Sequence, residues 1–263
     1  MIGLCARDVC WPSTLADLGY QVQLIEQTIR TGSGDDVKPD VIAVSDVLVH
    51  SLVFECKGGI SLDAGQISRY KGLRVGDLTR WVTLSATKER LTFDLCFAVR
   101  EESELIFLGQ TDPYPLLSFG ENAIKKRRDF SQAELNGRFL EPTDLRGMRP
   151  PLNYYPFSDQ DKDVVIIPRV LRMMMQIALK SSKGGPSALV DSTFDSEDML
   201  SGIHVYWKAL SREHRTELGN RIRGIVRRIL ASHEDLRSQL EELESKRGYK
   251  IRGPLTNLRS TME

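Results

Sequence analysis

The stretches Pro39-Asp40-Val41-Ile42 and Val53-Phe54-Glu55-Cys56-Lys57-Gly58-Gly59, about a dozen residues apart, decide how this chain is read. Each carries an apolar, β-branched run bounded by Gly, Asp or Ser, the composition of a strand, and together they predict a hairpin. Successive side chains on a strand point to opposite faces. Glu55 and Lys57 therefore share one face, roughly 7 Å apart along the strand, and Cys56 is expected to turn into the core. With Asp40 at the start of the neighbouring strand, its carboxylate swings towards Glu55. Two such carboxylates, with water and a phosphate oxygen, are what a hard Mg²⁺ ion takes. Lys57 then faces the same phosphate.

These residue types suit phosphodiester hydrolysis. A metal on Asp40 and Glu55 polarises the phosphoryl oxygen and acidifies a water, while Lys57, a compact point charge, orients the attacking water or offsets developing charge. Just downstream, Gln66-Ile67-Ser68-Arg69-Tyr70 places Gln66 and Tyr70 four residues apart. On a predicted helix from Asp63 to Leu73 they share a face, which returns over the strand end.

Pro39-Asp40, a gap, then Glu55-x-Lys57 resembles the PD-(D/E)xK nuclease superfamily, and Gln66 with Tyr70 is similar to the QxxxY helix motif of its RecB-type branches. The resemblance covers roughly the first hundred residues. It implies a restriction-endonuclease-like mixed sheet flanked by helices, with Asp40, Glu55 and Lys57 catalytic. It also implies Mg²⁺ or Mn²⁺ as cofactor, held by Asp40, Glu55 and the main-chain carbonyl of Cys56. Gln66 and Tyr70 would support the site or touch substrate. DNA is the implied substrate, and the implied setting is restriction, anti-phage defence or DNA repair. Many relatives cut both strands as homodimers, although no stretch here identifies a dimer face.

Upstream, Pro12 to Gly19 reads as a short helix and Tyr20, Val22 and Leu24 alternate with glutamines as a strand. A rival reading runs one helix through Leu15, Leu18, Val22, Ile25 and Ile29, against a cost of about 1 kcal/mol for Gly19 inside it. The choice bears on Glu26, which is either a third carboxylate of the site or a solvated strand-end glutamate. Thr31 to Asp36 is a polar turn whose Asp35 and Asp36 are read as ordinary turn residues.

Composition bounds the rest. At 263 residues, 41% hydrophobic and 27% charged, the chain has room for one large or two modest domains. Its net charge of zero means that nucleic-acid binding must come from local patches. Four scattered cysteines suit neither a disulfide scaffold nor an iron–sulfur cluster, so a reducing cytoplasm is the expected home. No apolar run reaches the roughly 20 residues of a membrane span, and the first ten residues lack the pattern of a secretory signal.

Strands are predicted at Arg80 to Leu84, Leu91 to Val99 and Leu105 to Leu108, with Arg69, Lys71, Arg74 and Arg80 around the site helix as candidate phosphate contacts. From Asp112 to about Asp161, frequent prolines predict an irregular bridge, within which Lys125-Lys126-Arg127-Arg128 reads as solvated surface. Helices follow at Val164 to Leu179, Ser196 to Leu210, Glu213 to Leu230 and Glu234 to Lys246, with Tyr249 to Pro254 as a wing-like turn. The third of these carries Arg212, Arg215, Arg221, Arg223, Arg227 and Arg228 around an apolar stripe of Leu218, Ile222, Ile225 and Ile229. Those arginines are either a phosphate-tracking surface or the charged outer face of a core helix.

The expected architecture is an α/β nuclease-like domain at 1–111, a bridge at 112–163 and an α-helical domain at 164–263. The expected activity is metal-dependent hydrolysis of DNA. The alternatives are a non-catalytic nucleic-acid-binding or assembly subunit, or a nuclease that acts when a partner helicase or ATPase supplies substrate. The chain has no Walker motif of its own.

Overall fold

In the computed structural model, which describes residues 1–7, 11–59, 63–85, 88–148, 161–181, 193–232, 234–243 and 248–251, Gly19 decides between the two N-terminal readings. It ends a 3-10 turn at Ala16–Leu18 with a left-handed φ of 79°. An added Cβ would come within 3.0 Å of Val47 Cγ2, so only glycine fits both the φ and the space. The chain leaves this turn as strand β1, Tyr20–Ile25, and the single-helix reading is wrong.

The chain is mixed α/β and divides into two compact units, residues 1–154 with 209–211, and residues 155–208 with 212–263. In the first, a small hairpin of β2 (Ile29–Arg30) and β3 (Asp36–Val37) precedes the predicted pair β4 (Val41–Ser45) and β5 (His50–Lys57). These two run antiparallel with Val41 opposite Phe54. Helices α1 (Ala64–Lys71) and α2 (Val75–Leu78) then carry the chain across to β6 (Thr92–Arg100), parallel to β5. Helix α3 (Glu104–Gln110) leads to β7 (Leu116–Phe119), parallel to β6, and β8 (Ala123–Arg128), α4 (Ala133–Arg138) and β9 (Thr143–Asp144) complete the unit. The resulting seven-stranded sheet has the order β1-β4-β5-β6-β7-β8-β9.

Its interior strands are buried on both faces, which is why β5 and β6 read as continuous apolar runs rather than alternating ones. One face packs Val53, Leu95 and Phe97 against Tyr70 and Leu73 from the region of α1, Leu78 of α2 and Phe107 of α3. The other packs Leu52, Phe54 and Cys96 against Leu4, Leu15, Leu135 and Phe139.

Four expectations are corrected here. Arg80 to Leu84 contains no strand, and Leu105 to Leu108 lies in a helix, whose one-sided burial of Phe107 leaves Leu105 exposed. Residues 112–148 are no irregular bridge, because β7, β8 and β9 belong to the main sheet. The basic run Lys125 to Arg128 is strand β8 rather than solvated surface. Lys125 pairs with Glu101, Lys126 with Asp129 and Arg127 with Glu104, and the Arg128 guanidinium donates to the carbonyls of Leu108, Thr111 and Tyr114.

In the second unit, α5 (Asp163–Ser181), α6 (Ser196–Ile203) and α7 (Arg212–Ser232) pack together. Helix α7 buries Leu218, Ile222, Ile225, Val226 and Ile229, the expected stripe with one addition. The unit also contains strands. β10 (Thr193–Asp195) precedes α6, while helix α8 (Glu234–Gln239) passes into β11 (Leu240–Glu242), and both strands flank β12 (Gly248–Ile251). The helix expected over Glu234 to Lys246 is thus shorter, and the wing-like turn begins as a central strand, with residues 252–254 outside the described region. The break at Lys183 to Ser187 also lies outside it.

Candidate active site

The antiparallel partner β4 pairs with β5 only as far as Phe54, while the parallel partner β6 continues to Lys57. Glu55, Cys56 and Lys57 therefore project past Val41, the first β4 residue, where Asp40 enters that strand. The Asp40 N–H donates to the Phe54 carbonyl at 3.0 Å and its carboxylate accepts from the Cys56 N–H at 2.5 Å. This pins Asp40 beside Glu55.

Glu55 is buried on the face covered by α1. Asp63 caps α1 by accepting from the Gly65 N–H, which fixes the helix start so that Gln66 and Tyr70, one turn apart, come down over Glu55. The Tyr70 hydroxyl donates to Glu55 Oε2 at 2.6 Å. The Gln66 amide donates from Nε2 to Glu55 Oε1 at 2.7 Å and accepts at Oε1 from Lys57 Nζ at 2.8 Å. Lys57 Nζ also lies 2.7 Å from Glu55 Oε1. Glu55, Lys57 and Gln66 thus close a ring of hydrogen bonds, and the Gln66 amide orientation is set because only one end of it can face an ammonium.

The electrostatics follow from this packing. Burial pushes the Asp40 carboxyl up to about 6, opposed by the Cys56 N–H bond and reinforced by the charge of Glu55. Burial likewise pushes the Tyr70 phenol up, with Glu55 adding to it, so it stays a hydrogen-bond donor. Two oxygen positions remain open for a cation. Asp40 Oδ1 accepts no hydrogen bond among the described residues, and Glu55 Oε2 uses one of its two lone pairs on Tyr70.

Glu26 lies at the same corner. Its N–H donates to the Asp40 carbonyl at 3.1 Å, its φ of 50° is left-handed, and its carboxylate is 3.3 Å from Lys38 Nζ. A non-glycine residue held at positive φ is uncommon and here fixes the main chain behind Asp40.

One expectation fails locally and one holds. Cys56 does not turn into the core; its side chain is exposed, because the core on its face ends at Phe54, opposite the start of β4. Asp35 and Asp36 are absorbed by their own hairpin, accepting from the Ser33 hydroxyl and facing Arg30 at 4.0 Å. Of the nearby basic residues, Arg69 faces Asp63 at 3.6 Å and Arg74 donates to the carbonyls of Lys71 and Leu73, while Lys71 and Arg80 are exposed.

Residues 1–99 match a protein family described as the MJECL32 domain. That span holds every residue of this site, from Glu26 to Tyr70, and takes in 99 of the 263 residues. No curated protein and no solved structure matches the chain.

Proposed function

We propose that this chain is a metal-dependent nuclease of the PD-(D/E)xK type that hydrolyses DNA phosphodiester bonds, with Asp40, Glu55 and Lys57 as its catalytic residues. The observation that carries this reading is the ring of hydrogen bonds among Glu55, Lys57 and Gln66. It is completed by Tyr70 and stands beside Asp40 at the free end of a parallel strand. A chance E-x-K triplet and a chance Gln/Tyr helix pair have no reason to interlock. An antiparallel run into β5, a helical crossover and a parallel β6 support a restriction-endonuclease-like core, and the helices of the second unit support a largely α-helical C-terminal part that also holds a small sheet.

The donor set suits Mg²⁺ or Mn²⁺. Among the described residues no group of three or more acidic, His or Cys side chains forms a metal cage. A pair of carboxylates is the usual protein share for Mg²⁺, which keeps waters and takes substrate phosphate oxygens for the rest. Asp40 and Glu55 would hold the ion, with the Cys56 carbonyl as a further ligand, and the ion would supply positive charge against the phosphoryl oxygens. The remaining roles belong to the chain. Gln66 and Tyr70 lock the Glu55 rotamer, and Cys56 N–H locks Asp40. Lys57 holds a cation over the same corner, where it stabilises charge on the phosphoryl group or orients a water for in-line attack.

The deciding assay incubates plasmid, linear and single-stranded DNA with Mg²⁺ or Mn²⁺ and compares wild type with Lys57→Ala and Asp40→Ala. Cleavage that needs metal and disappears in both variants is the expected result. Wild-type protein that binds DNA and cuts none of the three substrates would instead favour the non-catalytic binding subunit.

A further inference from the structure

The six arginines of α7 separate by their partners. Arg221 and Arg228 pair with Asp163, and Arg227 with Glu242. Arg223 donates to the Ser196 hydroxyl and the Asn220 side chain. Arg212 and Arg215 have no side-chain partner among the described residues. Both line a cleft of about 740 Å³ between α7 and the start of α6.

The opposite wall carries two acids, but neither is within ion-pair distance of Arg212 or Arg215. Asp195 spends its carboxylate on the N–H groups of Glu197 and Asp198, capping α6, and Glu197 accepts from Trp207 Nε1 at 3.4 Å. The cap takes up the N–H groups of Glu197 and Asp198, so the charged donors left to an anion here are the arginines. Positions 212, 215, 216, 219, 220 and 223 fall on one face of α7, and that face presents Arg212, Arg215, Thr216, Asn220 and Arg223 to the cleft. From Arg212 to Arg223 the helix rises about 16 Å, so the donors are strung along a line rather than converging on one point.

We infer that this cleft binds the phosphates of a nucleic-acid strand, with Arg212 and Arg215 as the principal contacts. A line of guanidinium groups that no carboxylate pairs among the described residues matches successive backbone phosphates, whereas a single free phosphate calls for converging donors. The inference rests on the nucleic-acid reading above for its choice of ligand, but not on catalysis, and the test is run without metal so that the two can fail separately.

The test measures fluorescence anisotropy of a labelled single-stranded oligonucleotide of about 20 nucleotides against the full chain in EDTA, across a salt series. Arg212→Ala/Arg215→Ala is expected to weaken binding about tenfold or more. It should also flatten the dependence of log K on log salt by about 1.4, since each single-strand phosphate contact contributes about 0.7. Arg212→Lys/Arg215→Lys should keep most of the slope, and Arg227→Ala, whose charge is already paired, should bind as wild type. Unchanged affinity and slope in the double alanine variant, with circular dichroism showing it folded, would overturn the proposal. So would binding of inorganic phosphate or a mononucleotide as tight as that of the oligonucleotide, which would make this a free-phosphate site.

Discussion

Asp40 and Glu55 are both acids, yet their surroundings treat them differently. Glu55 accepts from three donors, Lys57, Gln66 and Tyr70, whereas Asp40 has one main-chain N–H and is held up to about 6 by burial and by Glu55. A carboxyl whose folded pKa lies above its unfolded value contributes stability at low pH that is lost as pH rises, here through the window from about 4 to 6. Asp40→Asn keeps an acceptor for the Cys56 N–H and removes the charge. It is expected to stabilise the metal-free protein by about 1–2 kcal/mol at pH 7 in urea unfolding with EDTA, while abolishing cleavage. Tyr70→Phe is expected to act in the opposite direction on stability. It leaves a buried Glu55 oxygen without its donor and should cost about 1–3 kcal/mol in the same measurement.

Strand β8 shows how an element's setting changes the meaning of its residues. Four consecutive basic residues suggest a phosphate contact or a solvated patch, but in β8 each is engaged by a neighbour. The Arg128 guanidinium is the most committed, since it satisfies carbonyls of Leu108, Thr111 and Tyr114 that frame the passage from α3 to β7. Arg128→Ala should therefore destabilise the fold by about 2–3 kcal/mol in denaturant titration. Lys125→Ala/Lys126→Ala should change DNA affinity and its salt slope no more than a surface control. Helix α7 is also basic and has a different outcome, because the acids nearest Arg212 and Arg215 accept from the N–H groups of a helix cap and from a tryptophan instead of pairing with them.

At the scale of the whole molecule, the two units carry desolvated titratable groups of opposite sign, His204 buried and Asp40 half-buried. Burial lowers His204, in the second unit, to about 4. A histidine depressed on folding contributes stability present above about 6.5 and lost as pH falls towards 4. Asp40, in the first unit, gains over the lower part of that range. Between pH 7 and pH 5 without metal, the second unit should lose about 1–2 kcal/mol from His204 while the first gains about 1 kcal/mol from Asp40. Native-state hydrogen exchange read separately for amides of β5 and of α7 would show the divergence. Asp40→Asn should remove the β5 gain and leave the α7 loss in place.

What the sequence by itself determined lies where a local pattern has one physical outcome. The apolar runs from Val41 and up to Phe54 had to be strands, Glu55 and Lys57 had to share a face, and Gln66 and Tyr70 had to share a helix face, because these follow from periods of 2 and 3.6. The α7 core stripe was legible for the same reason. Only the tertiary structure decided what depends on neighbours distant in sequence. Cys56 is exposed because β4 stops pairing at Phe54, although nothing around residue 56 says where that pairing stops. Residues 112–148 complete a sheet despite their prolines, since strand edges and connections accommodate them. A charge is solvated, paired or left open to a ligand according to which acid the fold sets opposite it, and for Arg128, Arg227 and Arg212 the chain gives three answers to one side chain.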